Sequence, residues 1–254
     1  MEKQLEGKTA IITGAAGGIG SQIARAYGEQ GASLVLSGRN KQRLDSLAAE
    51  LESQNYKAIV SQADVTEPGQ VDNMVASAIK NFGQVDILVN NAGGAMYVKP
   101  PEKLKPEEWN NAIALNLTSV FLCSQAVSQH MIAQQHGSII NISSVAGMRL
   151  SPAFVHYGAA KAGTNSLTWT LAAELAPDIR VNAVAPGAIP TEVMLTAIGK
   201  TENQLDEVLE EWNIPLGRLG TPQDIGAACV YLASDAASWV SGEIIRVGGG
   251  ARPR

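Results

Sequence analysis

The chain of 254 residues holds only two cysteines, Cys123 and Cys229, each inside an apolar helical pattern with no partner nearby. That scarcity argues against a disulfide framework and a metal site, and it predicts buried free thiols in a reducing cytosol. Long apolar runs are missing too, since nothing approaches the roughly 18 uninterrupted apolar residues of a membrane span. The start, Met1-Glu2-Lys3-Gln4-Leu5-Glu6, is charged and carries no apolar stretch, so no signal peptide is expected and the expected compartment is the cytoplasm. Basic runs are absent: 19 Lys and Arg lie scattered against 24 Asp and Glu, a net charge of -5, which argues against nucleic acid as a partner. Neither repeats nor low-complexity linkers break the chain, so residues 1–254 are read as one domain.

Apolar mass is ample, at 45% of residues. Short runs at Thr9–Thr13, Ser33–Leu36, Ala58–Ser61, Ile87–Val89, Ser138–Ile142, Arg180–Ala185 and Glu243–Val247 read as strands. Amphipathic stretches near 19–30, 41–54, 70–82, 106–134, 155–176 and 222–234 alternate with them. Strands rich in Ile and Val without polar alternation suit a parallel sheet covered on both faces. The pattern predicts an α/β doubly wound sheet of about seven parallel strands with helices on both faces. One irregular region, 188–216, is interrupted by Pro190, Gly199 and Pro215 and reads as a mobile substrate lid.

The first strand runs into Gly14-Ala-Ala-Gly-Gly18-Ile-Gly20 and then a helix, the Rossmann-type arrangement in which glycines admit a pyrophosphate and a helix N-terminus offers free N–H groups. The spacing is Gly-x-x-x-Gly-x-Gly, not the commoner G-x-G-x-x-G. Tyr157-Gly-Ala-Ala-Lys161 lies on a helical pattern, which puts the two side chains one turn apart on one face. A phenol with a pKa of about 10 is a poor acid or base at neutral pH, and a nearby ammonium is expected to lower it. Chance alone gives about 0.2 such pairs in a chain of this composition, so the pair by itself could be a surface Tyr over a solvated Lys.

With these motifs in order, the sequence resembles the short-chain dehydrogenase/reductase family over essentially its whole length. Thr13-Gly-x-x-x-Gly18-Ile-Gly20 looks like the family's cofactor loop, Asn90-Asn91-Ala92-Gly93 like its turn after the fourth strand, and Pro186-Gly187 like its nicotinamide-side motif. Ser144, thirteen residues before Tyr157, falls at the family's substrate-orienting serine, and Asn116 at its helix asparagine. The resemblance implies that Tyr157 is the general acid for ketone reduction and the base for alcohol oxidation. It implies that Lys161 holds the ribose and tunes Tyr157, that Ser144 binds the carbonyl oxygen, and that Asn116 positions a water. Capping by Ser144, with Ser143 as its neighbour and competitor, and a helix-bending backbone bond from Asn116 are the alternative roles. His156 points a quarter-turn from the Tyr157–Lys161 face and reads as a pocket-rim or interface histidine.

NADP is the expected cofactor, with NAD possible. Gly38 stands where an NAD-type site carries an acid, and Arg39 follows it with a fork suited to a 2′-phosphate, although Gly17 leaves Arg39 no obvious basic helper. Expected nucleotide contacts are Gly14, Gly18, Ile19, Gly20, Arg39, Asp64, Val65, Asn91, Ala92, Gly93, Tyr157, Lys161, Pro186, Gly187 and Thr191. The expected substrate pocket comprises Gly94, Met96, Met148, Val155 and Met194, beside Ala146, Leu150, Ala188 and the rest of the 190–214 segment. Its apolar character predicts a modest hydrophobic or amphiphilic ketone, reduced with NADPH. Alternatives are a 3-oxoacyl-(acyl-carrier-protein) reductase-like enzyme and a non-catalytic nucleotide-sensing protein on the same fold. Apolar residues on several faces of 106–134 and 155–176 predict a subunit interface, and the resemblance implies a homotetramer, with Gly248 in the terminal Gly248–Arg254 replacing the usual acid.

Overall fold

The computed structural model describes residues 3–251. Seven strands, β1 (Thr9–Thr13), β2 (Ser33–Gly38), β3 (Ala58–Gln62), β4 (Ile87–Asn90), β5 (Gly137–Ile142), β6 (Ile179–Pro186) and β7 (Ile244–Val247), form one sheet in the order β3-β2-β1-β4-β5-β6-β7. Every pairing is parallel. Nine α-helices among the described residues cover it: α1 (Gly18–Glu29), α2 (Lys41–Ser53), α3 (Pro68–Phe82), α4 (Pro106–Ile113), α5 (Ser119–Gln134), α6 (Val155–Glu174), α7 (Glu192–Ile198), α8 (Leu205–Trp212) and α9 (Pro222–Ala233). The expected doubly wound sheet is present, and each predicted strand differs from its observed bounds by at most two residues at an end.

Alternate residues of a strand point to opposite faces, and the core divides accordingly. Ala10 and Ile12 join the layer under α1, α2 and α9, whereas Ile11 joins the layer under α3 and α5. Helix boundaries follow their chemistry. The α9 helix starts at Thr221-Pro222, where Thr221 and Asp224 exchange backbone bonds and Arg218 grips Asp224 at 2.8 and 2.9 Å. The α3 helix starts with Pro68 at its first position and stops at Gly83, whose φ of +82° is the left-handed conformation that favours glycine.

The stretch 106–134 departs from the single helix expected. After α4 the chain makes a π-helical turn over Ala114–Thr118 before α5 begins, with Asn116 inside it. Such a turn shifts the angular phase of the helix. Part of the apolar pattern that reads as many-faced in one long helix is therefore two buried faces out of phase. The lid region 188–216 contains α7 and α8, an interrupted helical pattern, and Gly199 and Asn213 end these helices in the left-handed conformation.

Candidate active site

The strand order reverses between β1 and β4, and the chain leaves both strands at their C-terminal ends on either side of a crevice. Thr13 closes β1 there. Its hydroxyl donates to the Val89 carbonyl and accepts from the amides of Asn91 and Ala92, tying the two loops together. The Asn91 amide group donates to the Thr13 and Gly14 carbonyls at 2.9 and 3.0 Å. A cleft of about 620 Å³ opens from these loops towards α7.

The glycine loop is packed too closely to admit side chains at Gly18 and Gly20. A Cβ on Gly20 would lie 2.3 Å from the Gly14 carbonyl oxygen, and one on Gly18 would lie 2.8 Å from Thr191 Cγ2. Gly14 sits at φ +62°. At Gly17 the α1 helix begins with no side-chain cap and no acid in its first turn, whereas α2, α7 and α9 are capped by Asn40, Thr191 and Thr221. The first amides of α1 therefore face the cleft unpartnered within their helix, as an anion-binding end requires. Gly38, Arg39, Asp64 and Val65 line the same end of the cleft. So does Arg43, one turn into α2, which bonds Glu192 of α7 at 3.3 Å. Arg39 thus has the basic neighbour that the loop position Gly17 does not supply. These residues fit a dinucleotide whose pyrophosphate lies on α1.

At the other end, Ser144, Tyr157 and Lys161 line the cleft together. Lys161 is buried, its ammonium donates to the Ile142 carbonyl at 2.8 Å, and it lies 5.7 Å from the Tyr157 ring centroid. Burial lowers the Lys161 pKa to about 8. The Tyr157 phenol is pushed above its usual value by burial, and hydrogen bonding with Ser144 opposes that shift. The direction is opposite to the lowering expected from the Lys161 ammonium, and burial of the phenol is its largest cause. Ser144 caps the turn after β5 by accepting from the Ala146 amide at 3.1 Å while lining the cleft. Its neighbour Ser143 also lines the cleft but is buried, and its hydroxyl donates to Asn165 Oδ1 at 2.6 Å.

Asn116 sits against Gly93 and Gly94. Its oxygen accepts from the Gly94 amide at 2.9 Å, and its nitrogen donates to the carbonyls of Gly94 and Ala112. A Cβ on Gly93 would lie 2.6 Å from that oxygen and 3.4 Å from the Lys161 ammonium, so the three meet at one point. The Ala112 bond is the local helix bond anticipated as an alternative, and it coexists with the approach to Lys161.

Most expected contacts line the cleft, including Gly14, Gly18, Ile19, Gly20, Asn91, Ala92, Gly93, Gly94, Pro186, Gly187, Thr191 and Met194, with Ala146 and Leu150. Met96, Met148 and Val155 do not, and each is exposed, at 42%, 39% and 39%. Val155 precedes Tyr157 by two helical positions, about 200° around α6, so it turns outward when Tyr157 turns in. Met96 and Met148 lie beside lining residues, Ala95 and Arg149, on extended or turning chain that points neighbouring side chains apart. Ala188 is buried beneath the wall, whose surface is Ile189. His156 is fully buried, not at a rim, with its ring 5.9 Å from that of Tyr97. The segment carrying Tyr97 covers the start of α6, where the Lys99 amide donates to the Ala153 carbonyl. Sequence reasoning missed Arg43, Arg149 and Phe154 in the lining, whereas Val193 and Trp212 lie in the 190–214 segment expected to wall it. Of those missed, only Arg43 carries a signal, at helical spacing after Arg39. Arg252, Pro253 and Arg254 of the atypical terminus lie outside the described residues.

No helix among the described residues is long and apolar enough to cross a membrane, and none of their His, Cys, Asp and Glu side chains cluster in a metal-holding group. The family model described as enoyl-(acyl carrier protein) reductase matches residues 14–252. The chain is 40% identical over 253 residues to the 3-oxoacyl-(acyl-carrier-protein) reductase of Thermotoga maritima, covering 97% of this chain and 98% of that protein. It is 37% identical over 249 residues to a probable 2,4-dienoyl-CoA reductase of Bacillus subtilis, covering 97% of each. Among solved structures, a 7α-hydroxysteroid dehydrogenase in complex with NADH and 7-oxoglycochenodeoxycholic acid superposes with a TM-score of 0.93 at 37% identity, covering 100% of this chain and 97% of that one. A gluconate 5-dehydrogenase from Burkholderia cenocepacia, in complex with NADP and tartrate, superposes with a TM-score of 0.90 at 35% identity, covering 98% and 97%. Loop, strand order and polar cluster agree with these matches over nearly the whole length: the chain belongs to the short-chain dehydrogenase/reductase family and is an oxidoreductase acting on CH–OH and keto groups.

Proposed function

We propose that the protein reduces a ketone to a secondary alcohol with NADPH, Tyr157 giving the proton. The observation that carries this reading is the joint lining of one cleft by Ser144, Tyr157 and Lys161, with Arg39 and Arg43 at its far end. When bound, the nicotinamide supplies the hydride. Gly14, Gly18, Ile19 and Gly20 hold the pyrophosphate, Asp64 and Val65 the adenine, and Asn91, Ala92, Gly93, Pro186, Gly187 and Thr191 the nicotinamide half. Ser144 donates to the carbonyl oxygen where negative charge develops, and the Tyr157 hydroxyl delivers its proton to that oxygen. A phenol held above its usual pKa is protonated at neutral pH and ready to act as the acid. Lys161 holds the ribose and, with Asn116 beside it, replaces the proton through a positioned water.

Arg39 and Arg43, which line the cleft beside Gly38, support NADP, since a guanidinium is suited to neutralise a 2′-phosphate. The 188–216 segment acts as the lid. Exposed Phe121 on α5 and Trp169 on α6, at 43% and 56%, support a homotetramer, which a light-scattering mass checks. A second reading, reduction of a 3-oxoacyl thioester, draws on the Thermotoga relative. Tyr157→Phe tests the mechanism: it should keep nucleotide affinity and lose about 10²–10⁴-fold in kcat. Turnover within a few-fold of wild type would remove Tyr157 from the chemistry.

A further inference from the structure

We infer that Arg149 selects substrates carrying a carboxylate away from the reacting carbonyl. This rests on the oxidoreductase reading of the cleft and adds the substrate class to it. Arg149 lines the cleft on the loop between Ser144 and Tyr157. Its guanidinium carbon lies 5.0 Å from the ring centroid of Trp212, the last residue of α8, within cation–π distance of an aromatic face. Among the described residues no carboxylate pairs with it and no protein acceptor takes its N–H groups. The neighbouring lining is apolar: Leu150, Phe154, Val193, Met194 and Ile198. The other charged lining residues are Arg39, Arg43 and Asp64 at the nucleotide end and Lys161 in the floor. Arg149 follows β5, which β1 and β4 separate from the β2 loop of Arg39, a distance of roughly 14 Å at ordinary strand spacing.

A nucleotide phosphate at Arg39 therefore does not account for Arg149. An arginine left without an acid beside an apolar wall, with its donors free, suits a bidentate anion. The apolar walls suit a hydrocarbon body between that anion and the carbonyl. The ligand class is accordingly an amphiphilic keto acid or its hydroxy acid, and the sequence expectation of a modest hydrophobic or amphiphilic ketone is narrowed by a cation that its short-range patterning does not reveal.

The test compares short, medium and long straight-chain keto acids with their methyl esters, by kcat/KM, in wild type, Arg149→Met and Arg149→Lys. Wild type should favour the acid by roughly 10–100-fold at the best chain length, as a charge-assisted pair contributes. Arg149→Met should bring the acid-to-ester ratio close to one, and Arg149→Lys should restore part of it. A ratio near one in wild type, or a ratio unchanged in Arg149→Met, overturns the assignment. Calorimetric titration of the matching saturated carboxylates and primary amides decides the point independently of turnover. Tighter carboxylate binding lost in Arg149→Met upholds Arg149 even if no ketone is reduced, in which case the oxidoreductase reading alone fails. A phosphopantetheine thioester and its dephosphorylated form make the last arm. Discrimination between those two that depends on Arg149, with none between acid and ester, would move the anion from substrate to carrier and overturn the proposal.

Discussion

At the scale of single residues, the site is a contest between desolvation and charge. Burial pulls the Lys161 ammonium down to about 8 and pushes the Tyr157 phenol up. The pairing of these two was legible from their spacing of one helical turn, but the direction of the Tyr157 shift was not. Sequence spacing reports neighbours and says nothing of how much water the fold removes. The choice of nicotinamide is the residue-scale property most open to reversal. A Cβ on Gly38 would meet nothing nearer than 3.8 Å, so a carboxylate fits there without moving the backbone. Gly38→Asp with Arg39→Leu should shift the ratio of kcat/KM for NADPH over NADH towards NADH by about 10–150-fold, the weight of one charge-assisted guanidinium contact. Arg43 remains in that variant, so the shift should stop short of full inversion unless Arg43 is replaced as well. A wild type that already prefers NADH, or a ratio unmoved by the change, would make Arg39 a surface arginine.

Among elements, strands were read closely and helices less so, for a physical reason. Thr9–Thr13 matched because a fully buried strand shows as an unbroken apolar run with Gly14 directly after it. The π turn at Ala114–Thr118 left no such mark, since Ala-Leu-Asn-Leu-Thr suits an α-helix equally well and tertiary contacts to Gly94 choose between them. Arg149 was invisible for a similar reason: its role depends on Trp212, far along the chain. The ion pairs of the α7–α8 segment are local or exposed, Lys200 bridging Glu207 and Glu211 within it and Arg43–Glu192 reaching α2. Surface pairs of that kind contribute about 0–1 kcal/mol each. Residues 190–214 should therefore exchange amide hydrogens quickly in the free enzyme and slow markedly once nucleotide and substrate are bound. Equal, strong protection in both states would end the lid assignment.

For the whole molecule, Lys161 couples the site to stability. Its native pKa of about 8 lies below the ordinary 10.5, so between these values the unfolded chain holds a proton that the native chain lacks. Stability contributed by this group therefore rises with pH across that window and is lowest below it. Cys123, whose thiol burial pushes up to about 12, works the other way above its ordinary 9.0, so the effect is best read as a difference between variants. The stability of wild type relative to Lys161→Met should improve by about 2 kcal/mol between roughly pH 7 and pH 9.5 without nucleotide. A gap that stays constant with pH, measured by denaturant unfolding, would place the Lys161 charge in water.

The packing of the first helix against the last also bears on how the protein is made. Ile23, Ala24 and Tyr27 of α1 are buried, and the Tyr27 hydroxyl donates to the Cys229 carbonyl of α9 at 3.0 Å. The Gly187 amide beside the cleft bonds the Val247 carbonyl of the final strand at 2.8 Å. On the ribosome, the apolar side of α1 emerges some two hundred residues before its cover, and at about 5–20 residues per second it waits tens of seconds for it. Through that interval the nascent chain can neither close its nucleotide wall nor hide that surface. It is then a client for holding chaperones, and a transcript cut short before α9 yields a sticky fragment rather than a weakened enzyme.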